Sequence, residues 1–360
     1  MKKDRFGPEV IIEVHRPELG LEGYLVIDNT RLGPGKGGIR MTPDVSVGEV
    51  AELARAMSLK NALAELPFGG AKGGIVWNHS DNKQELFKAF IAEIRHLMPE
   101  RYIAASDINT GETEMEWLVD VTEDPTTTTS KPVHLGGMDH KTASTGYGVA
   151  VAARSAGETC GIDLNGASVA IDGYGTVGSW AARYLQEGGA QVVATSSRHG
   201  AIYNPQGLDL ATLNDLKSRG GKTTAYKDAE LITHDEMLEL EVDILVTASI
   251  SDVIHDHNHH NVRAGLIVEG SNLPMSYEIE ELLHERGITI VPDIVANAGG
   301  VIASYIEYEG ADLSQEHTQS VISDTIARVT KRVLSTSRER GEYPRGAALE
   351  LAYKRLETDT

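Results

Sequence analysis

The chain has 360 residues, and its 53 Asp and Glu against 33 Lys and Arg give a formal net charge of −20. This length fits two domains of ordinary size, and so acidic a surface argues against a general nucleic-acid-binding protein because it repels phosphate backbones. The one cysteine, Cys160, excludes an intramolecular disulfide and a Cys-based zinc site.

Membrane and export signals are not apparent in the sequence. No apolar run approaches the roughly 18 residues expected of a membrane span. The first residues have no apolar segment behind their basic ones, as a signal peptide requires. We therefore expect a cytoplasmic protein in a reducing compartment, with no membrane and no nucleic acid as partner.

The charge of −20 has two interpretations. Repulsion among the excess carboxylates destabilises a compact fold, and salt screens it by shortening the Debye length from about 10 Å at 0.1 M to about 3 Å at 1 M. The charge therefore predicts a halophilic protein that works in concentrated salt. The alternative is an ordinary acidic protein whose charge only keeps it soluble.

The first third of the chain mixes strand and helix patterns. Two strands are predicted, at 10–14 and 24–27. Ser46 and Glu49 have the form of a capping box, which predicts a helix running to about Lys60. A second amphipathic helix follows a glycine-rich segment, and we place its cap at Ser80 or Asp81.

From residue 167 onward, strand and helix patterns alternate. The predicted strands are at 168–171, 191–195, 244–246, 266–268 and 288–291. Such alternation is typical of a doubly wound parallel sheet. The last fifty residues predict two helices, over 314–335 and 345–356.

A G-x-G-x-x-G motif consists of Gly173, Gly175 and Gly178, with Thr176 and Val177 between the last two glycines. It follows a predicted strand and begins a helix, which is the context of a dinucleotide-binding site. The first glycine permits a tight turn, the second lets the backbone approach a pyrophosphate, and the third lets helix and strand pack closely. The alternative is a tight connection that binds nothing.

The end of the second strand in this unit selects the cofactor. NAD sites place an acidic residue there to bind the ribose 2′-hydroxyl, but this chain has Ser197 and Arg198. Arg198 can pair with a 2′-phosphate and Ser197 can hydrogen-bond it. We therefore predict NADP as the preferred cofactor and NAD as the alternative, unless these residues form only a solvated loop.

Three lysines lie among glycines or in a helix: Lys36, Lys60 and Lys72. Glycines allow a ligand to approach the backbone closely. Lysines that converge on one pocket would bind carboxylates and would lower one another's pKa, which can produce a neutral lysine base. The alternative is three surface lysines, the commoner case for this residue type.

The histidine-rich run at 255–260 invites a metal-site interpretation. It follows a predicted sheet strand, where a solvated loop or a helix start is the simpler explanation. We therefore predict no metal site in this chain.

Seven motifs together resemble those of the glutamate/leucine/phenylalanine/valine dehydrogenase superfamily. They lie at 35–40, 59–62, 66–75, 105–110, 144–149, 269–272 and 292–301. The resemblance implies NAD(P)-dependent oxidative deamination of an L-amino acid to a 2-oxo acid, with release of ammonia. It also implies a homo-oligomer, with a hexamer as the expected form.

The resemblance implies an α/β fold of two domains, with the active site in the cleft where they meet. An N-terminal α/β domain for substrate binding and oligomerisation is expected over 1–135. A Rossmann-type doubly wound nucleotide-binding domain is expected over 136–307. C-terminal helices over 308–360 would return to the first domain.

The resemblance also implies roles for individual residues. Lys72 would be the catalytic lysine of low pKa that activates water, and Asp107 would move protons to and from the amino group. Lys60 would bind the α-carboxylate of the substrate. Thr145 and Asn272 would contact the nicotinamide portion of the cofactor, and Asn297 would lie beside it.

The substrate side chain is expected to meet Lys36 and Ser304. Members that resemble glutamate dehydrogenases carry a lysine and a serine at these two places, whereas leucine- and valine-type members carry apolar residues. Gly37 and Val301 are assigned to the same substrate site. The resemblance thus favours glutamate as substrate.

Two alternatives stay open. One is a leucine-, valine- or phenylalanine-type enzyme or an amino-acid dehydrogenase of unassigned substrate. The other is a non-catalytic regulatory paralogue, against which the presence of Lys60, Lys72 and Asp107 argues.

Overall fold

The computed structural model describes residues 3–79, 82–138 and 143–358. The chain divides into two compact units. The first unit comprises 1–141, 301–318 and 351–360, and the second comprises 142–300 and 319–350.

The first unit contains a five-stranded mixed sheet. Its strands are β1 (Val10–Arg16), β2 (Leu21–Asn29), β3 (Gly35–Thr42), β4 (Gly69–Val76) and β5 (Tyr102–Ser106), in the order β1-β2-β4-β3-β5. β2 pairs antiparallel with β1 and β4, whereas β3 pairs parallel with β4 and β5. The strands predicted at 10–14 and 24–27 are confirmed as parts of β1 and β2.

The glycine-rich segments form strands because their backbones approach neighbouring elements closely. A Cβ atom on Gly37 would lie 1.7 Å from the carbonyl oxygen of Ala71. A Cβ atom on Gly70 would lie 2.3 Å from the backbone nitrogen of Ser58. Only glycine permits these contacts, of which the first joins two neighbouring strands and the second places a helix directly on β4.

The helices that pack on this sheet are α1 (Val47–Leu63), α2 (Lys83–Ile94) and α3 (Glu112–Thr122). Ser46 caps α1 by accepting a hydrogen bond from the backbone N–H of Glu49, as predicted. The cap of α2 is Asn82, whose side chain accepts from the backbone N–H of Glu85. The cap predicted at Ser80 or Asp81 lies outside the described residues, and Asn82 takes that role instead.

The second unit contains a seven-stranded sheet. Its elements are α4 (Ser144–Cys160), β6 (Ser168–Asp172), α5 (Thr176–Glu187), β7 (Gln191–Ser197), β8 (Gly200–Tyr203), α6 (Leu210–Ser218), β9 (Glu230–Ile232), α7 (His234–Leu238), β10 (Ile244–Thr247), β11 (Leu266–Glu269), α8 (Tyr277–Glu285), β12 (Thr289–Val291) and α9 (Asp293–Ala296). The strand order is β12-β11-β10-β6-β7-β8-β9. The five strands predicted from sequence are confirmed, and they form the parallel part of the sheet.

The sheet is nevertheless mixed, because β8 and β9 pair antiparallel at its edge. These two strands were not predicted from the sequence. They have four and three residues, too few for a clear alternating pattern. The turn between β7 and β8 contains only Arg198 and His199, and Gly200 follows it with a positive φ of 122°.

Three helices complete the chain: α10 (Gly299–Glu309), α11 (Gln315–Arg340) and α12 (Pro344–Thr358). The two helices predicted at the end of the chain are confirmed. Residues 319–350 belong to the second unit, whereas the sequence prediction assigned all of 308–360 to the first. The difference arises because α11 contacts the second unit: Gln319 donates to the Tyr184 hydroxyl of α5 at 3.0 Å, and Lys331 pairs with a carboxylate of α4 at 2.8 Å.

Candidate functional site

Lys72 and Asp107 form an ion pair at the sheet of the first unit, with Lys72 buried and Asp107 half-buried. Lys72 lies in the middle of β4, and Asp107 directly follows β5. The Lys72 Nζ is 3.0 Å from Asp107 Oδ2, and Arg40 on β3 donates from Nε to the same oxygen at 2.9 Å. Lys72 is only 6% exposed. One carboxylate therefore lies between two cations in a largely dry environment.

The pKa values of this pair move in ways that suit proton transfer. Burial lowers the pKa of Lys72 below its ordinary 10.5; the Asp107 charge opposes this only in part, and Arg40 adds to the lowering. Burial by itself would raise the pKa of Asp107, but the charges of Lys72 and Arg40 outweigh it and bring that pKa below its usual range. Lys72 is thus easier to deprotonate than a surface lysine.

Glycine at position 38 makes this proximity possible. A Cβ atom on Gly38 would lie 2.9 Å from the Cβ of Asp107 and 2.6 Å from the Ser106 carbonyl oxygen. Neither contact is sterically tolerable for another residue. The glycine-rich motif on β3 is therefore required for the Asp107 side chain to lie against this strand.

The three lysines of the sequence analysis are all buried, which is evidence against their being surface residues. The exposed fractions are 2% for Lys36, 9% for Lys60 and 6% for Lys72. The Lys36 ammonium donates to the Ala104 carbonyl oxygen and to Thr129 Oγ1, both at 2.8 Å. The burial of the three lysines makes them candidates for binding the anionic groups of a substrate.

The other residues assigned to the substrate lie in the same unit. Ser304 is buried on α10, at 8% exposure, and Val301 is half-buried in the first turns of that helix. The Gly37 carbonyl oxygen accepts a hydrogen bond from the Tyr102 hydroxyl at 3.0 Å. Gly37 thus has a packing role in β3, beside the substrate role predicted for it.

The G-x-G-x-x-G motif has the geometry of a phosphate-binding turn. Gly173 has a φ of 92°, and a Cβ atom on Gly178 would lie 1.9 Å from the Gly173 carbonyl oxygen. A Cβ atom on Gly175 would meet nothing within 4 Å, so the backbone there faces open space. Thr176 is exposed and Val177 half-buried. No side chain caps α5, whose first N–H groups are therefore available to an anion.

The turn after β7 is electropositive. Arg198 is exposed, and Ser197 Oγ accepts a hydrogen bond from the Thr223 hydroxyl at 2.7 Å. The pKa of His199 is lowered, most by desolvation and less by the nearby positive charges of Lys222 and Arg198. Lys222 is thus a second cation near this turn, which the sequence analysis missed because it lies 24 residues further along the chain.

The three residues assigned to the nicotinamide lie at the ends of neighbouring elements. The Asn297 side-chain amide donates to Asn272 Oδ1 at 3.1 Å. A Cβ atom on Gly300 would lie 2.9 Å from Thr145 Oγ1, so the start of α4 contacts the start of α10 through a glycine. The structure therefore brings Asn272 and Asn297 together and places Thr145 beside Gly300.

Family models decide the class of protein. The glutamate/leucine/phenylalanine/valine dehydrogenase model matches residues 136–360, and the Glu/Leu/Phe/Val dehydrogenase dimerisation-domain model matches residues 8–124. The chain belongs to this family. It is an amino-acid dehydrogenase, and the resemblance based on the seven motifs is confirmed.

Similar proteins have names that agree with this assignment. The dehydrogenase is 44% identical over 298 residues to a glutamate dehydrogenase from Thermotoga maritima, covering 79% of this chain and 72% of that one. It is 43% identical over 288 residues to glutamate dehydrogenase A2 from Halobacterium salinarum, covering 77% and 69%. The hetero-hexameric glutamate dehydrogenase from Thermus thermophilus, in a leucine-bound form, matches with a TM-score of 0.87 at 30% identity over 98% of this chain and 89% of that one.

Two further relatives are named for different cofactors. An NADP-specific glutamate dehydrogenase A1 from Halobacterium salinarum is 37% identical over 318 residues, covering 83% of this chain and 76% of that one. An NAD-specific glutamate dehydrogenase from Staphylococcus aureus is 35% identical over 348 residues, covering 92% and 84%.

Asp172 was not predicted as a site residue. It ends β6 in the seven-stranded sheet of the dehydrogenase and accepts hydrogen bonds from three other segments of the chain. The carboxylate is fully buried and accepts from Ser196 Oγ at 2.7 Å, from His234 Nε2 at 2.6 Å and from the Ser249 hydroxyl. Ser196 Oγ in turn accepts from the Gly173 N–H. The hydrogen bond to Asp172 raises the pKa of His234. The sequence signal that could have revealed Asp172 is its position as an acidic residue at the end of an otherwise apolar strand.

Arg345 was not predicted as a site residue, although it fixes the segment that carries Asn272. It is fully buried on α12 and pairs with Glu269 at 2.6 Å, with Asp293 at 2.8 Å and with Glu280. Burial raises the pKa of Glu280 to about 7. Glu269 lies three residues before Asn272, so Arg345 ties α12 to the segment that carries this asparagine.

The described residues also bear on metal binding and on membrane-spanning helices. Within 3–79, 82–138 and 143–358, no group of three or more His, Cys, Asp or Glu side chains could hold a metal ion. In the same described residues, no helix is long and apolar enough to cross a membrane.

Proposed function

We propose that this dehydrogenase catalyses the reversible oxidative deamination of L-glutamate to 2-oxoglutarate and ammonia with NAD(P). The observation that carries the proposal is the Lys72–Asp107 ion pair, in which Lys72 is buried and Asp107 half-buried, in the same unit as the buried Lys36. The pair supplies proton transfer, and Lys36 supplies a positive charge for the distal carboxylate of glutamate. The names of the similar proteins support the same substrate.

The chemistry assigned to these residues follows from their charges. When bound, the nicotinamide ring accepts the hydride from the substrate α-carbon. Lys72 in its neutral form takes a proton from the water that adds to this carbon, and the lowered pKa makes that form accessible. Asp107 carries protons to and from the amino nitrogen, and Lys60 holds the α-carboxylate.

A steady-state assay of the purified protein at high salt tests the proposal. A panel of glutamate, leucine, valine, phenylalanine and norvaline is measured with both cofactors. We expect the highest kcat/KM for glutamate. A higher value for leucine or valine would instead support the branched-chain alternative, and inactivity on every amino acid would support a regulatory paralogue.

NADP is the cofactor that we propose as preferred, and Arg198 is the residue that tests it. Loss of one charge-assisted contact costs about 1.5–3 kcal/mol, or roughly 10- to 150-fold in affinity. Arg198→Ala should therefore raise KM for NADP by this factor and leave KM for NAD nearly unchanged. Arg183→Ala is the matched control, since Arg183 is an exposed arginine of the same unit that pairs with Glu187. A wild-type preference for NAD would contradict the prediction.

We also propose that the protein is halophilic and needs salt for stability. Its charge of −20 creates self-repulsion that salt screens. The midpoint of thermal unfolding should rise strongly between dilute buffer and molar KCl. Sucrose at matched osmolality is the control, because it does not screen charge and should raise the midpoint less. An unfolding midpoint that does not depend on KCl would leave only the solubility interpretation.

Assembly and location complete the proposal. We propose a homo-oligomer, for which the dimerisation-domain family model is the support. The expected hexameric form is supported by the assembly named for the Thermus thermophilus protein, which is a hetero-hexamer. A cytoplasmic location is supported by the single free cysteine, Cys160, since the fold uses no disulfide.

A further inference from the structure

A buried threonine segment lies beside the Lys36 ammonium. Thr127, Thr128 and Thr129 are each 1% exposed or less. The Thr129 N–H donates to the Ala104 carbonyl oxygen at 3.0 Å, and Thr128 forms a parallel bridge with Ala104. The segment thus adds to the edge of β5, on the side opposite to β3. None of the seven family-like motifs includes it.

Lys36 and Thr129 meet across β5. The Lys36 Nζ donates to Thr129 Oγ1 and to the Ala104 carbonyl oxygen, both at 2.8 Å. The Ala104 carbonyl therefore accepts from the Thr129 backbone and from the lysine at once. A lysine has a flexible four-carbon stem, and these two acceptors contribute to fixing where its charge lies.

An ion pair holds the threonine segment in place. Lys131 donates from its backbone N–H to Glu307 Oε1 at 3.2 Å, and its Nζ is 3.7 Å from the same oxygen. The Nζ also donates to the Thr128 carbonyl oxygen at 3.1 Å. Glu307 is 2% exposed and lies on α10, three residues after Ser304, so the two share one face of the helix. The segment is thereby fixed to the helix that carries Ser304.

The backbone between these contacts is unusual. Ser130 has a φ of 65°, in the left-handed region that non-glycine residues rarely adopt. Such a conformation persists only when its surroundings determine it, and here the residues on both sides are fixed by hydrogen bonds. Thr129 is therefore held rigidly, and its hydroxyl is a defined acceptor.

We propose that Thr129 is a specificity-determining positioning residue that fixes the Lys36 ammonium for the distal carboxylate of the substrate. The inference rests on the proposed function, because it assumes that Lys36 binds that carboxylate. Without the hydroxyl, the ammonium loses one of the two acceptors described above and samples more positions. Only substrates that carry a distal carboxylate should be affected.

Steady-state kinetics with two substrates test this role. Glutamate is compared with L-norvaline, which has a methyl group in place of the distal carboxylate. Thr129→Val keeps the side-chain shape and removes the hydroxyl. We expect KM for glutamate to rise about tenfold or more, the scale of a lost hydrogen bond to a charged group, with kcat changed by less than about twofold. KM for norvaline should stay at the wild-type value.

Two variants serve as controls. Thr129→Ser retains the hydroxyl and should restore most of the affinity for glutamate. Thr128→Val removes an equally buried hydroxyl that bonds to Met115 Sδ and to the Thr129 carbonyl oxygen, and it should leave KM for glutamate close to wild type. If Thr129→Val does not fold, Thr129→Ala is measured by the same criteria.

The outcomes separate this inference from the function on which it rests. An unchanged KM for glutamate in the variant lacking the hydroxyl, or an equal rise for glutamate and norvaline, would overturn the role of Thr129 while glutamate stays the substrate. A wild-type enzyme that prefers norvaline to glutamate would overturn the proposed function and this inference together.

Discussion

Lys72→Ala and Asp107→Asn should each lower kcat by about 10² or more, the scale of lost acid–base catalysis. The physical reason is that the Lys72 Nζ and Asp107 Oδ2 are 3.0 Å apart, with Lys72 buried and Asp107 only partly exposed. Neither group can be replaced by bulk water at that position. The loss should appear in kcat with glutamate and NADP both saturating.

A second Lys–Asp pair in the same unit provides the matched control. Lys88 on α2 and Asp120 on α3 are 2.9 Å apart, but this pair lies near the surface. Surface pairs contribute about 0–1 kcal/mol to stability. Lys88→Ala and Asp120→Asn should therefore leave kcat close to wild type. A kcat near wild type in Lys72→Ala or in Asp107→Asn would contradict the assignment of the catalytic pair.

The pH dependence of kcat/KM in the wild type and in Asp107→Asn has a direction that follows from the charge state of Lys72. Lys72 acts as a base only when neutral, so kcat/KM should rise as the pH increases through its pKa, which lies below the ordinary 10.5. The negative charge of Asp107 raises that pKa, so Asp107→Asn should move the rising limb of its residual activity to lower pH. A shift to higher pH would contradict this electrostatic coupling.

Much of the second unit was predictable because its motifs are local. Gly173 and Gly178 are five residues apart, and the turn they form depends on backbone sterics that sequence spacing reveals. The parallel strands likewise show continuous apolar runs. The edge strands β8 and β9 were not predictable, since three or four residues are too few to show a periodic pattern.

The candidate site of the first unit was predictable only in part. The glycines around Lys36 and Lys72 indicated close backbone approach, but not that both segments are strands or that both lysines are buried. Thr129 and Arg40 could not be found from spacing, because their contacts to Lys36 and Asp107 join residues 93 and 67 positions apart. Such contacts arise from the order of strands in the sheet, which a single sequence does not display.

Substrate choice should change when both polar residues of the side-chain pocket become apolar. The double variant Lys36→Leu with Ser304→Val removes a charge and a hydroxyl from positions that are 2% and 8% exposed. A distal carboxylate that enters so dry a pocket loses its hydration, and without a paired charge and donor nothing replaces it. Turnover of glutamate should therefore collapse.

The same change should raise relative activity on aliphatic amino acids. In the proposed wild-type pocket, an aliphatic substrate side chain would lie against the Lys36 ammonium and could not pair with its charge. In the double variant, the same substrate side chain would contact two apolar protein side chains instead. The ratio of kcat/KM for leucine to that for glutamate, measured at saturating NADP and high salt, should rise by about 10² or more, as two lost polar contacts of roughly 1.5 kcal/mol each imply. The single variant Ser304→Ala should move the ratio less, because the charge remains. If the double variant keeps the wild-type ratio, Lys36 and Ser304 do not determine the substrate.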